Sequence, residues 1–178
     1  MRKLTVITLF LAFVFVPSLG AANIVLNPGF ETGFSPWVAS GETMFTGVAS
    51  WAARSGSYGA YSGPVSTTGY ITQTLTTTPG ATYDLSFWVW NTSGTFFQVS
   101  WGGAPIYTEG VGDYGWTQRG FTVTASGAST DLTFGFYNPP NWYYFDDVSV
   151  EQVPEPSSLI LAGLGLAALV LRRRKRAA

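Results

Sequence analysis

The sequence of residues 23–152 predicts an all-β domain, either a sandwich or a barrel. Short runs in which apolar and polar residues alternate recur along this region, and none of them extends into a helical periodicity. Turn signals such as Pro79-Gly80 and Ser93-Gly94 separate the runs at close intervals. The region is also rich in Gly, Thr, Ser and aromatic residues. These features are typical of folds built from many short strands.

Alternation also predicts which side of each strand faces the core. In residues 82–90, the face expected in the core comprises Tyr83, Leu85, Phe87 and Val89. The opposite face comprises Asp84, Ser86, Trp88 and Trp90. The same rule predicts three further core faces: Phe97, Val99 and Trp101; Phe121 and Val123; and Leu132, Phe134 and Phe136. Other strands are expected near residues 43–49, 70–75, 106–108 and 143–150.

Residues 1–22 have the pattern of a secretory signal peptide. Arg2 and Lys3 precede an apolar stretch over residues 4–16, and a helix-breaking proline follows it. The small residues Gly20, Ala21 and Ala22 predict cleavage after Ala22, with Gly20 as the second choice. Export through the Sec machinery and signal peptidase is therefore expected. The alternative, an uncleaved anchor, is disfavoured because the apolar stretch is short.

The last segment, residues 153–178, combines three features. Pro154, Glu155 and Pro156 come first, and an apolar run over residues 159–171 follows. As a helix this run would reach only about 20 Å, whereas the apolar core of a bilayer is about 30 Å thick. Flanking residues and local thinning would make it a marginal membrane segment. A basic cluster closes the chain and would stay on the cytoplasmic side: Arg172, Arg173, Arg174, Lys175 and Arg176.

This order of motif, short apolar helix and terminal cations resembles the PEP-CTERM sorting signal of exported bacterial proteins. The resemblance implies that an exosortase acts on the chain at Pro154, Glu155 and Pro156. It also implies an inner-membrane intermediate, followed by delivery to the cell surface or the extracellular matrix. The alternatives are an ordinary tail anchor and an apolar helix packed on the domain. A packed helix would show a polar face, and this run has none.

Charge and composition exclude several classes of function. All but two of the basic residues lie in the two terminal segments, so residues 23–155 contain only Arg54 and Arg119 against ten carboxylates. Nucleic-acid binding is not expected, because it depends on cations that neutralise phosphates. The chain has no Cys and no His, and hence neither disulfides nor a thiolate or imidazole for catalysis. Nothing marks a catalytic pair of carboxylates, and we predict that the protein is not an enzyme.

A second resemblance spans residues 23–152. The markers are Asn-Pro-Gly-Phe-Glu at residues 27–31 with Trp37 beyond it, Gly-Tyr-Ile-Thr-Gln-Thr-Leu at 69–75, the segment 79–88, and Tyr-Phe-Asp-Asp-Val-Ser-Val at 144–150. In this order they resemble the jelly-roll carbohydrate-binding modules of the galactose-binding-like superfamily, of the family 4/9/22 type. The resemblance implies a jelly-roll β-sandwich, and it implies sugar binding only as an expectation, because a fold does not fix a function.

The same resemblance implies a structural calcium ion where the first and last strands meet. The matching carboxylates are Glu31 and Asp146, with Asp147 as a further candidate. Calcium binds six to eight hard oxygens, which such carboxylates and nearby carbonyls supply. Asp146 has the parity of Val148 and Val150, so it is expected to point inward and to need a cation or donors. The alternative is that these carboxylates cap backbone amides or pair with Arg119 without a metal.

Aromatic residues give the candidate sugar-binding surface. Aromatic faces stack on the C–H groups of sugar rings, and seven tryptophans exceed the needs of one core. The candidates are Trp88 and Trp90 on the non-core face of their strand, and Trp142 and Tyr143 after a proline-containing loop. The alternative is that several of these side chains fill the sandwich. The sequence thus predicts a non-catalytic surface protein that binds carbohydrate, such as the producer's exopolysaccharide. The alternative is a structural or adhesive protein that uses the same sandwich without a sugar site.

Overall fold

The computed structural model describes residues 21–154, 163–167 and 172. Several predicted features lie outside the described residues: the signal segment up to residue 20, Glu155 and Pro156 of the sorting motif, most of the apolar run, and Arg173, Arg174, Lys175 and Arg176. Residues 163–167 and 172 are helical and exposed. Among the described residues, no helix has the length and apolar character that a membrane crossing requires.

Within residues 21–154, ten strands form two antiparallel five-stranded sheets, which confirms the predicted all-β jelly-roll sandwich. The strands are β1 Val38–Gly41, β2 Thr46–Ala49, β3 Gly59–Ser62, β4 Gly69–Thr76, β5 Thr82–Gly94, β6 Phe96–Trp101, β7 Ala104–Glu109, β8 Gly112–Thr124, β9 Ser129–Tyr137 and β10 Tyr143–Gln152. A 3-10 helix, Ser50–Ala52, follows β2. The strand orders are β2-β3-β10-β5-β8 and β1-β4-β9-β6-β7. We call them the β10 sheet and the β9 sheet after their central strands.

The core lies between the two sheets and follows the predicted alternation. The inward residues of β5, from Tyr83 to Val89, are at most 2% exposed. Phe134 of β9 contacts strands β5 and β10 of the other sheet, with ring centroids 5.0 Å from Phe87 and 4.4 Å from Phe145. Each such buried ring contributes about 1.5–3 kcal/mol relative to an exposed one. Alternation therefore places the apolar residues of both sheets in one core.

Strand β10 contains a bulge that reverses this alternation. Tyr143 and Phe145 are buried in the core before the bulge, and Val148 and Val150 are buried after it. The register with β5 shifts between Asp146 and Ser149. Asp147 has a φ of 51°, in the left-handed region that a bulge commonly uses. The extra residue keeps both halves of β10 in register with the core.

An ion pair joins the edge strands of the two sheets. Arg119 of β8 lies opposite the inward residue Phe87, and its guanidinium is 3.0 Å from Glu109 of β7. Tyr107 donates a hydrogen bond to the same carboxylate. The tyrosine hydroxyls near this pair are buried, and burial raises the pKa of both Tyr114 and Tyr143. This side of the sandwich is thus closed by an ion pair as well as by aromatic packing, in which the rings of Tyr107 and Phe121 are 5.3 Å apart.

We predict that Tyr143→Phe leaves stability at pH 7 unchanged or raises it slightly. Within the described residues, the Tyr143 hydroxyl is buried without a hydrogen-bond partner, so its removal relieves a desolvation cost of about 1–3 kcal/mol. The wild type should also lose stability as pH rises above about 10. The pKa of the Tyr143 hydroxyl is higher in the folded state than in the unfolded state, so the unfolded state loses this proton first and becomes favoured as pH rises. Tyr143→Phe should reduce that loss.

Urea denaturation at pH 7 and at about pH 10.5 measures both effects. The control is Tyr58→Phe, which alters a tyrosine that is exposed. A loss of more than about 2 kcal/mol at pH 7 for Tyr143→Phe would contradict the prediction.

Candidate functional site

The outer face of the β10 sheet carries a group of aromatic side chains at one end of its strands. Tyr144 of β10 lies directly opposite Tyr61 of β3 and Trp90 of β5. Directly opposite residues on antiparallel strands project from the same face, and the inward neighbours of Tyr144 and Trp90 are buried. We call the group the aromatic surface, and its members are Trp51, Tyr61, Trp90, Trp116, Trp142 and Tyr144.

The rings of this surface form a continuous row. Successive ring centroids are 4.7 Å apart for Tyr61 and Trp51 and 5.8 Å apart for Trp51 and Tyr144. The row continues from Tyr144 to Trp90 at 5.4 Å and from Trp90 to Trp116 at 6.0 Å. Trp142 lies beside it, 6.2 Å from Trp51. Trp51 is 60% exposed, and Trp90 and Trp142 are each 37% exposed, so the row is open to a ligand.

Two carboxylates hold the loop that follows Trp51. Asp146, fully buried, accepts hydrogen bonds from the backbone N–H groups of Arg54 and Ser55 at 2.8 and 3.1 Å. Burial raises the pKa of Asp146, although these N–H donors act in the opposite direction. Glu31 accepts hydrogen bonds from the backbone N–H groups of Ser57 and Tyr58. The loop over residues 53–58 is therefore fixed at both ends, next to the 3-10 helix that presents Trp51.

Arg54 from this loop covers a further tryptophan. Its guanidinium carbon lies 3.6 Å from the ring centroid of Trp88, a cation–π contact, and the guanidinium also binds Asp147 at 2.7 Å. Trp88 projects from the outer face, as the alternation predicts, but Arg54 already packs on its ring. Trp88 therefore contributes less free surface to a ligand than Trp90 or Trp142.

The structure corrects one of the four predicted sugar-contacting residues. Trp90 and Trp142 lie on the aromatic surface and Trp88 lies next to it, whereas Tyr143 is fully buried in the core. Tyr143 precedes the bulge and shares the inward parity of Phe145, so it cannot contact a surface ligand. Sequence reasoning missed Trp51, Tyr61, Trp116 and Tyr144. Alternation counted from Phe145 would have placed Tyr144 on the outer face, whereas counting from Val148, across the bulge, gives the opposite orientation.

The three predicted calcium ligands lie close together. A Cβ atom built on Gly29 would be 3.5 Å from Oδ1 of Asp146, and 3.9 Å from both Oδ1 of Asp147 and Cγ of Glu31. Their oxygens accept hydrogen bonds from N–H and hydroxyl groups. A calcium ion would need these same oxygens as its ligands. Within residues 21–154, no group of three or more acidic, Cys or His residues is arranged to hold a metal ion. Glu31 and Asp146 accept backbone N–H groups, as in the amide-capping alternative, whereas Arg119 pairs with Glu109 and Arg54 pairs with Asp147.

The inward orientation expected for Asp146 is wrong, and the bulge explains why. Asp146 lies opposite Trp88 and shares the outer side of the sheet with it. The parity of Val148 and Val150 cannot be carried back across the extra residue at positions 146–147. Asp146 is buried because the loop over residues 53–58 covers it.

A jelly-roll sandwich with aromatic rings on an exposed sheet face is the architecture of carbohydrate-binding modules. The model of one such family, described as carbohydrate binding domain (CBM_4_9), matches residues 22–142, which is more than half of the chain. The chain belongs to this family. A second model, the PEP-CTERM protein-sorting motif, matches residues 152–175. No curated protein matches the chain.

Solved structures with similar folds include other carbohydrate-binding modules. TmCBM61 in complex with beta-1,4-galactotriose is 23% identical, with a TM-score of 0.60 over 75% of this chain and 100% of that chain. The CBM22-1 xylan-binding domain of Xyn10C from Paenibacillus barcinonensis is 17% identical, with a TM-score of 0.59 over 76% and 97%. The K3 adhesin domain of Lys-gingipain from Porphyromonas gingivalis is 16% identical, with a TM-score of 0.57 over 74% and 98%. At these identities the likeness concerns the fold alone.

Proposed function

We propose that the protein is an exported, non-catalytic surface protein whose aromatic surface binds a carbohydrate chain. The continuous row of rings from Tyr61 through Trp51, Tyr144 and Trp90 to Trp116 is the observation that carries this proposal. Pyranose rings present C–H groups that pack on aromatic faces. Trp51, Trp90 and Trp142 are the most exposed of these aromatic residues, so an extended chain can pack on more than one ring.

Charge favours a glycan without strong negative charge. Residues 23–155 carry ten carboxylates and two arginines, and this excess repels polyanions. Next to the row, Asp147 pairs with Arg54 and Asp146 accepts backbone N–H groups. These carboxylates hold the loop in place, which supports binding rather than catalysis as the role of the surface.

We also propose that an exosortase processes the chain at its C-terminal motif. The sorting-motif match begins at Gln152, the last residue of β10, so the motif follows directly on the folded domain. Signal peptidase and the Sec machinery would act first, and the inner membrane would hold the chain until the exosortase releases it. The proposed destination is the cell surface or the extracellular matrix, where exopolysaccharide is the proposed ligand.

The alternative is an adhesive or structural surface protein without a sugar site. The adhesin domains of Lys-gingipain, whose fold is similar, motivate this second candidate. Glycan binding by the aromatic surface separates the two functions, because the alternative requires none.

We predict that Trp90→Ala and Trp142→Ala each weaken glycan binding about tenfold or more, since each removes a ring that packs on a sugar. Affinity electrophoresis of the folded protein on neutral polysaccharides, including the producer's own matrix, measures the effect. Tyr70→Ala is the matched control, because Tyr70 is also 37% exposed but belongs to the β9 sheet. If no glycan retards the wild type, the adhesive alternative is favoured.

For sorting, we predict that replacing Pro154, Glu155 and Pro156 with alanine leaves the protein unprocessed in the inner membrane, because the exosortase then lacks its recognition motif. Cell fractionation and immunoblotting report the processing and the location. A variant with Val65→Ala, an exposed change within the domain, controls for expression. Normal surface delivery of the triple variant would refute exosortase sorting.

A structural calcium ion at Glu31 and Asp146 stays a prediction, and chelation tests it. A metal bound only by the folded state raises the melting temperature, so a chelator should lower it. Asp146→Ala should abolish this chelator effect and also destabilise the domain by about 1–3 kcal/mol, because it leaves buried N–H donors unpaired. Identical wild-type melts with and without chelator would show that amide capping is the whole role of these carboxylates.

A further inference from the structure

A pocket of about 300 Å³ lies at the end of the β10 sheet that is remote from the aromatic surface. Ala21, at the predicted signal-cleavage site, and Pro154 of the sorting motif both line it. Asp84, Ser86, Ser149 and Glu151 line it as well. The places where the chain enters and leaves the domain therefore share one pocket.

The first residues after the predicted cleavage site are held against β10. Asn23 forms a β-bridge with Glu151, and the backbone N–H of Ile24 donates to the carbonyl of Val150 at 2.9 Å. The Asn23 side chain accepts a hydrogen bond from the Val150 N–H at 2.9 Å and donates one to the Val148 carbonyl at 3.0 Å. These contacts fix the start of the domain beside the pocket.

Two like charges face each other in the pocket. Glu151 of β10 lies directly opposite Asp84 of β5, and like charges in this position destabilise a sheet. Each carboxylate accepts one hydrogen bond from a neutral hydroxyl, Asp84 from Thr122 at 2.9 Å and Glu151 from Ser149 at 3.0 Å. Both carboxylates are exposed, and neither hydroxyl supplies a positive charge to the pair.

The side chains of the domain supply no cation for this pair. Residues 23–152 contain no lysine and only two arginines. Arg54 binds Asp147 at 2.7 Å, and Arg119 binds Glu109 at 3.0 Å. Removal of the signal peptide gives this part of the chain one further cation, the α-ammonium group of the new N-terminus.

We propose that this α-ammonium group binds in the pocket as the counter-ion of Glu151 and Asp84. Cleavage after Gly20 makes Ala21 the first residue, and Ala21 already lines the pocket. Cleavage after Ala22 makes Asn23 the first residue, and Asn23 pairs with Glu151. The new N-terminus is thereby fixed to the strand from which the sorting motif leaves. The inference rests on the proposed removal of the signal peptide and is independent of glycan binding.

The test uses the exported protein, with its first residue established by N-terminal sequencing. Because residues 23–152 lack lysine, an amine-specific acetylating reagent modifies only the α-amino group of the domain. Acetylation should lower the melting temperature by about 2–4 °C at low salt, and by less at high salt. In the double variant Asp84→Asn/Glu151→Gln, acetylation should leave the melting temperature unchanged, which also controls for any reaction at Lys175.

Asp113→Asn is the matched control, since it removes an exposed carboxylate that does not line the pocket, and it should keep the full acetylation effect. An equal shift in the wild type and the double variant, or no shift in either, overturns the proposal. So does a mature chain that begins before Ala21. In a further outcome, a chelator lowers the melting temperature of the wild type but not of the double variant, and acetylation has no effect. This outcome also overturns the proposal, because it assigns the pocket to a divalent cation. Glycan binding measured on the same samples reports separately on the aromatic surface.

Discussion

The bulge at Asp146 and Asp147 in the central strand β10 is the constraint on which both faces of the domain depend. Tyr143 and Phe145 point into the core on one side of it, and Val148 and Val150 do so on the other. Without the extra residue, one of these two sets would turn to solvent, because a one-residue shift reverses every side chain. The same irregularity brings the Asp146 carboxylate to the N–H groups of the loop over residues 53–58. Core packing and the placement of the loop next to Trp51 thus have one structural cause.

The scarcity of cations gives each arginine a defined structural task. Arg54 binds Asp147 and packs on Trp88, and so ties the loop to the outer face of the β10 sheet. Arg119 pairs with Glu109 across the edge strands of the two sheets. A carboxylate left without either arginine must rely on neutral donors, as Asp84 does with Thr122. The distribution of two arginines therefore explains where this acidic domain is held by ion pairs and where it is not.

The sequence predicted the parts of the fold that depend on strict alternation. The inward residues of β5, from Tyr83 to Val89, are buried as expected because that strand has no bulge of its own and keeps its register with β8 along this stretch. The prediction failed for the orientation of Asp146, because parity counted from Val148 does not survive the bulge. It failed for Tyr143 because that residue was assigned to the surface from the loop before it, whereas it is an inward residue of β10. The sequence could not place Trp51, because this residue lies in a 3-10 helix rather than in a strand. Its position depends on the contacts of Glu31 and Asp146 with the loop that follows it. Local patterns specify strands, whereas the site depends on a bulge and a loop that only the tertiary contacts define.

The arrangement along β10 relates the two proposed activities to one another. Tyr144 of the aromatic surface and Glu151 of the terminal pocket are seven residues apart on the same strand, which corresponds to roughly 20–23 Å at the usual rise per residue. A chain held by its C-terminal segment is held at the Glu151 end, since the sorting motif begins at Gln152. The aromatic rings are then at the far end of the strand, where a bound glycan would not compete with a processing enzyme. The proposed binding and the proposed processing would thus use opposite ends of one strand, so a change at either end need not disturb the other.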